Sequence, residues 1–365
     1  MIKSDIFYLY LAYFHRLQIN IKQALFKYFR EDNMAGLEFP HEIKTVTEEE
    51  DKIIKKYYKG YARPFVRMGP EKYILSAGYG DHVPEIYNLD VRPDDVWVTT
   101  FPRSGTTWLQ EIVWLVANDL DFETAKNISI TKRYAYIDYR AQRFEIRPES
   151  KDPTLKALTW THDDFRTFPD MTSPRYVKSH LPLSFLPPKL LDTAKVFYIA
   201  RDPRDVVVSY YFGHKLFRYF DAGDVIEFKE FWDLFKNDLV MHTPILPHVK
   251  EAWVKRDHPN LMFLFYEELQ NDLSSVIDKI CDFLGKTYNA DQKQQLMEYV
   301  NFNNMKKKPI AGLPKKEGET EITFFRKGKA DNWRQYFDEE MTKEAEEYME
   351  RNLRDTDMRF PAVIN

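Results

Sequence analysis

Cysteine is nearly absent from this 365-residue chain, which has only Cys281. A single thiol excludes an internal disulfide framework and a cysteine-rich zinc site, and it points to a reducing compartment, the cytoplasm. Net charge is also small, at −4. The overall field therefore gives no reason to expect nucleic-acid binding. The apolar run Ile6–Phe14 is nine residues long, far short of the roughly 20 that cross a bilayer as a helix. No small-x-small cleavage site comes after it, because His15 and Arg16 are next, and this argues against a secretory signal. There is no internal repeat, no low-complexity segment and no His/Cys set at metal-ligand spacing, so no metal is expected. The Gly-x-x-x-x-Gly-Lys-Ser/Thr signature is missing too, which speaks against an ordinary ATPase or GTPase.

Aromatics, by contrast, are plentiful: 27 Phe, 23 Tyr and 7 Trp. They predict a large aromatic core, with some rings left to line a greasy pocket. The first thirty residues are basic, with Lys3, Arg16, Lys22, Lys27 and Arg30 against Asp5. Tyr10, Phe14, Leu17, Ile21, Ala24 and Tyr28 recur there at helical spacing. That pattern fits a docking helix or a frayed extension first, and weak contact of residues 1–30 with a membrane surface second. Residues 1–45 are read as an N-terminal basic extension and 46–365 as a single domain.

Within that domain, short apolar runs at 95–101, 175–180, 195–200 and 260–266 alternate with helical patterns. Near-continuous apolar strands between helices predict an α/β fold, a central parallel sheet flanked by helices. Residues 127–175 and 303–325 read as irregular, and Asp338–Leu353 as a charged amphipathic surface helix. Ligands of such sheets sit beyond the carboxyl ends of the strands, so the residues after each run carry the functional signal.

The first strand end reads Phe101-Pro102-Arg103-Ser104-Gly105-Thr106-Thr107-Trp108. Gly105 permits a tight turn, and the unpaired amides of the following helix favour an anion. Thr106 and Thr107 add hydroxyls, and Arg103 adds a permanent cation. The second end, Lys178-Ser179-His180, puts a histidine where a general base would reach a substrate proton, although a lone histidine is more often structural. The third, Arg201-Asp202-Pro203-Arg204-Asp205, would let Arg201 and Ser209 face one phosphate; the alternative is a turn with surface ion pairs. The fourth stretch, Arg326-Lys327-Gly328, reads as a phosphate clamp or a solvated basic loop.

The set FPRSGTTWLQEIVW, VKSHLPL, IARDPRDVVVSYY, FYEEL and RKGKADNW, in this order, resembles the cytosolic sulfotransferases over residues 60–360. The likeness is strongest to insect members, including an insect retinol dehydratase. It implies a P-loop-like sulfotransferase fold and a donor with two phosphate groups, 3′-phosphoadenosine 5′-phosphosulfate (PAPS), with no metal. By the resemblance, Ser104–Thr107 hold the 5′-phosphate and Trp108 stacks on the adenine. Arg103 replaces a lysine beside the leaving group; arginine keeps the charge but is no useful proton donor. Lys178 and His180 match the second lysine and the catalytic base. Arg201, Ser209, Arg326, Lys327 and Gly328 match the 3′-phosphate site, and Tyr266, Phe302 and Met305 match contacts to the base.

Further positions depart from the family pattern. Asp331-Asn332 stand where Gly-Asp is usual, Val300 stands for a threonine, and the segment after Trp333 lacks the family's dimerisation motif, so a homodimer is not carried over. The implied reaction moves a sulfuryl group to a hydroxyl or amine of a small hydrophobic acceptor such as a phenol, sterol or retinoid alcohol. Tyr134, Tyr136, Tyr139 and Phe144 are candidate pocket walls. Dehydration through a transient sulfate ester, and non-catalytic nucleotide or lipid binding, are the competing readings.

Overall fold

The computed structural model describes residues 36–58, 63–143, 163–217, 226–307, 328 and 330–364. The chain divides into two units, Met1–Phe39 and Pro40–Asn365. The second unit is centred on a five-stranded sheet of β4 (Val96–Thr99), β5 (Ala135–Tyr136), β6 (Tyr176–Ser179), β7 (Lys195–Ala200) and β8 (Leu261–Phe265). The spatial order is β5-β6-β4-β7-β8, and every pair is parallel. The chain starts in the middle at β4, builds one side with β5 and β6, then crosses to the other with β7 and β8. Such a reversal opens a crevice at the carboxyl edge beside the first strand.

Both faces of the sheet are covered, which explains the unbroken apolar runs. Alternate residues point to opposite faces. Val96, Val98, Phe197, Ile199 and Leu264 pack with Leu109, Ile112 and Val113 of the helix Thr106–Ala117 and with Val276, Ile277 and Ile280 of the helix Leu273–Leu284. On the other face Trp97 meets Phe168 edge-on, and Tyr198 donates or accepts a 2.7 Å hydrogen bond at His248 Nδ1. At the edge opposite the site, Arg175 forks onto Asp95 at 2.7 and 2.6 Å while its guanidinium lies 3.7 Å above the Phe168 ring. That buried pair is fully satisfied and clamps the starts of β4 and β6.

A smaller antiparallel sheet joins β1 (Ile43–Thr45), β2 (Val66–Met68) and β3 (Tyr73–Leu75). Ile74 of β3 exchanges backbone hydrogen bonds with His242 and Thr243 at 2.7 and 2.8 Å. This brings His242 beside the helix Ala77–Tyr87, which carries Tyr79.

All four predicted strands are present. The stretch 127–175, read as irregular, instead contributes the helices Ile130–Arg133 and Tyr139–Arg143 and the fifth strand, β5. The C-terminal helix runs Glu339–Leu353, capped by the Asp338 side chain, and buries Met341, Ala345 and Tyr348. Among the described residues no helix is long and apolar enough to cross a membrane. The amphipathic pattern in residues 1–30 lies outside the described residues, as do Phe144, Arg326 and Lys327.

Candidate active site

The loop after β4 turns on two residues in the left-handed region, Arg103 (φ 69°) and Gly105 (φ 107°). Gly105 is sterically required as well: a Cβ there would lie 2.6 Å from Tyr266 Cδ2. The next helix begins at Thr106, so its first amides face the turn. Ser104 is fully buried, and its Oγ has no hydrogen-bond partner among the described residues. An orphaned buried hydroxyl beside free helix amides is what an oxyanion would satisfy. Thr106 Oγ1 is fixed by Thr100 Oγ1 at 2.6 Å.

His180 sits one residue past β6, next to this loop. Its Nδ1 lies 2.9 Å from the Thr100 carbonyl, which can only accept. Nδ1 therefore carries the proton and Nε2 presents a lone pair. Burial, then the Lys178 cation and neighbouring His242, hold the His180 pKa well below the usual imidazole value. The ring is thus neutral at physiological pH, a base rather than an acid. Lys178 extends from β6 with its ammonium 3.9 Å from the centre of the Tyr136 ring. Burial lowers the Lys178 pKa to about 8, helped by the Arg103 cation and opposed by Asp138.

Arg103 Nε donates to Ser209 Oγ at 3.2 Å, which links the first strand end to the helix Pro203–Phe217. Arg201 lies 4.2 Å from the centre of the Tyr266 ring and 3.9 Å from Asp205. Tyr266 meets Trp108 edge-on at 5.6 Å. The structure thus brings Arg103, Gly105, Trp108, Arg201, Ser209 and Tyr266 into one region. The turn around Arg204 also holds the ion pair that the alternative reading foresaw, with Arg204 forked onto Asp202 at 2.9 and 2.6 Å. Phe302 and Met305 lie on the helix Phe302–Lys307; Met305 is buried. A Cβ on Gly328 would overlap the Phe302 ring, at 1.9 Å from Cδ2. Asp331 adopts φ 59°, in the left-handed region.

Several contacts that shape the site were not legible in the sequence. The Trp108 indole N–H donates to the Val300 carbonyl at 2.9 Å, a contact indifferent to the side chain at 300. Asp205 accepts from the amides of Asp331 and Trp333 at 2.6 and 3.1 Å and so anchors the Gly328 loop. Glu267 accepts from the Asp202 amide, and burial pushes its carboxyl up to about 7. Asp138 accepts from the His180 amide at 3.2 and 3.3 Å. An acid ending the short apolar run Tyr134–Ile137 was the available signal for Asp138.

Anion-favouring amides, paired cations and a neutral base at the carboxyl edge of a parallel sheet define a group-transfer enzyme that handles a phosphorylated ligand. The sulfotransferase domain model matches residues 93–357, and the chain belongs to the sulfotransferase family. Luciferin sulfotransferase of Photinus pyralis is 30% identical over 330 residues, covering 84% of this chain and 85% of that protein. The structure of retinol dehydratase with retinol and PAP superposes with a TM-score of 0.79 at 40% identity, covering 89% of this chain and 100% of the other. A second retinol dehydratase structure, with androsterone and the inactive cofactor PAP, has the same TM-score and identity and covers 89% of this chain and 99% of the other. The protein is a PAPS-dependent sulfotransferase. The orphaned Ser104 hydroxyl and the open amides at Thr106 and Thr107 fit a phosphate of that donor.

Proposed function

We propose that this sulfotransferase sulfates the hydroxyl, or amine, of a small hydrophobic acceptor, with His180 Nε2 as general base. The observation that carries this reading is the 2.9 Å contact of His180 Nδ1 with the Thr100 carbonyl, which aims a neutral Nε2 out of the strand end. Nε2 takes the acceptor's proton as its oxygen forms a bond to sulfur and the bond from sulfur to the leaving phosphate oxygen breaks. Arg103 and Lys178 balance the charge that builds on the sulfuryl and leaving oxygens. Preorganised donors of this kind are typically worth about 3–4 kcal/mol each in a dry site. Ser104, Gly105, Thr106 and Thr107 would hold the 5′-phosphate. Arg201, Ser209, Arg326, Lys327 and Gly328 would hold the 3′-phosphate, and Trp108, Tyr266, Phe302 and Met305 the adenine. The androsterone and retinol bound in the retinol dehydratase structures support a sterol or retinoid-like alcohol as acceptor. A cytoplasmic location suits the single buried thiol, Cys281.

The 40% identity to retinol dehydratase favours a second outcome for an allylic alcohol. There the sulfate ester would lose sulfate with the C–O electron pair and a proton from carbon. Mass analysis of products from PAPS with phenols, sterols and retinoid alcohols separates the two. Stable sulfate esters mean transfer alone; anhydro products with free sulfate mean dehydration. His180→Ala is expected to lower turnover by about 10²–10⁴-fold while PAP still binds. An unchanged rate removes His180 from the mechanism. Tight PAP binding without turnover of any acceptor in the panel favours a binding protein.

A further inference from the structure

Asp138 is completely buried at the carboxyl end of β5, the short edge strand. Pairing sets its position: Tyr136 lies opposite Lys178, and the Ile137 amide donates to the Lys178 carbonyl at 3.0 Å. The next residue therefore reaches across to His180. We propose that Asp138 is a positioning residue for sulfuryl transfer: its carboxylate braces the His180 backbone and keeps the Lys178 ammonium charged inside the closed site. The proposal rests on the roles assigned above to His180 and Lys178.

The groups around both side chains support it. Lys178 faces Asp138 from the loop after β5, Arg103 from the loop after β4 and the Tyr136 ring, with His180 two residues along its own strand end. Arg103 repels the ammonium, and of these neighbours Asp138 alone is an anion. Burial beside another cation, without a counter-charge, would strip the proton from the amine. Asp138 in turn faces the Lys178 charge, the Ser179 hydroxyl, the His180 amide and, from the helix Ala77–Tyr87, Tyr79. Tyr79 Oη is 3.3 Å from Asp138 Oδ2 and 3.0 Å from His242 Nε2, and His242 Nδ1 is 3.0 Å from Tyr210 Oη. The Tyr210 hydroxyl donates to the Met241 carbonyl at 2.9 Å, so neutral His242 donates from Nδ1 to Tyr210 Oη and accepts at Nε2 from Tyr79. The donor that Asp138 holds is the His180 amide. Burial pushes the Asp138 carboxyl up to about 6, still low enough for it to be ionised at pH 7.

The test compares Asp138→Asn with the wild type in the pH dependence of kcat/KM, and follows the Lys178 ammonium directly by NMR on lysine-labelled protein. Asparagine keeps an acceptor for the His180 amide and removes the charge. The variant is expected to lie within about 3-fold of wild type near pH 6. Its alkaline limb should move down by about one pH unit, so that the deficit is about 5-fold near pH 8 and approaches 10-fold above about pH 9. The Lys178 resonance should titrate at correspondingly lower pH, and kcat should carry the loss while KM for the nucleotide holds. A deficit that is constant across pH, or a Lys178 titration unmoved by the substitution, overturns the proposal. A shifted titration with a flat rate profile upholds Asp138's hold on Lys178 and instead overturns the catalytic role given to Lys178. Should Asp138→Asn not fold, Asp138→Ser serves in the same NMR titration: loss of the charge should lower the pH at which Lys178 titrates, and an unmoved titration overturns the proposal.

Discussion

At Gly105 the backbone sits at φ 107° and a Cβ would press 2.6 Å from the Tyr266 ring. Gly105→Ala should therefore destabilise the fold by about 1–3 kcal/mol from backbone strain, with the ring clash added. Urea unfolding reads the first effect, and PAP titration should show weakened binding as Tyr266 is displaced. An alanine variant of native stability would show that the loop relaxes. His180 gives a second expectation at this scale. Its pKa lies well below the ordinary imidazole value because burial and the Lys178 cation disfavour the proton. The ring thus stays neutral as pH falls through about 6.5, where an exposed histidine would charge. Turnover should show no acidic limb near that value; a limb there would mean that the imidazole is hydrated in the working enzyme.

Among the elements, Asp205 ties the start of the helix Pro203–Phe217 to the loop carrying Gly328, through the amides of Asp331 and Trp333. Asp205→Ala leaves those two amides unpaired. Each buried unsatisfied group costs about 1–3 kcal/mol, so the expected loss in urea unfolding is about 3 kcal/mol, with weaker PAP binding. A change below about 0.5 kcal/mol, the scale of an ordinary surface substitution, would mean that water replaces the carboxylate. Elements also show where the sequence was legible. The four strands β4, β6, β7 and β8 stood out because both faces are buried and their apolar runs are unbroken. β5 was hidden because it is two residues long and needs β6 beside it to exist. The loop after β4 stood out by its local chemistry, a cation, a glycine and two threonines within five residues. Asp138 did not, because its meaning lies in an amide 42 residues away. At the departure Asp331-Asn332, aspartate occupies the left-handed region, which its short polar side chain tolerates.

Over the whole molecule, buried histidines make stability depend on pH. His214 Nδ1 donates to the Tyr210 carbonyl and its Nε2 accepts from Tyr58 Oη, and burial lowers its pKa to about 3. In the unfolded chain the value returns to about 6.5. Between these values the unfolded state binds a proton that the native state refuses. The contribution is therefore complete above about pH 6.5 and is lost as pH falls toward the native value. For one group this amounts to about 2 kcal/mol at pH 5. His214→Gln should shrink the difference in unfolding free energy between pH 7.5 and pH 5 by about that much, whatever it does to stability itself. An unchanged difference would mean that the ring already charges in the folded protein.

The contacts that build the site span great lengths of chain: 156 residues from Tyr58 to His214, 163 from Tyr79 to His242 and 192 from Trp108 to Val300. A ribosome that has released residue 270 has already delivered all five strands of the central sheet. The Val300 carbonyl that receives the Trp108 indole is still missing, as are Phe302 and the Gly328 loop. At about 5–20 residues per second, the nascent protein spends several seconds with Trp108 and Tyr266 lacking the segments that later pack beside them. Its vulnerable period falls during translation, and a donor nucleotide can rescue only chains that have been finished.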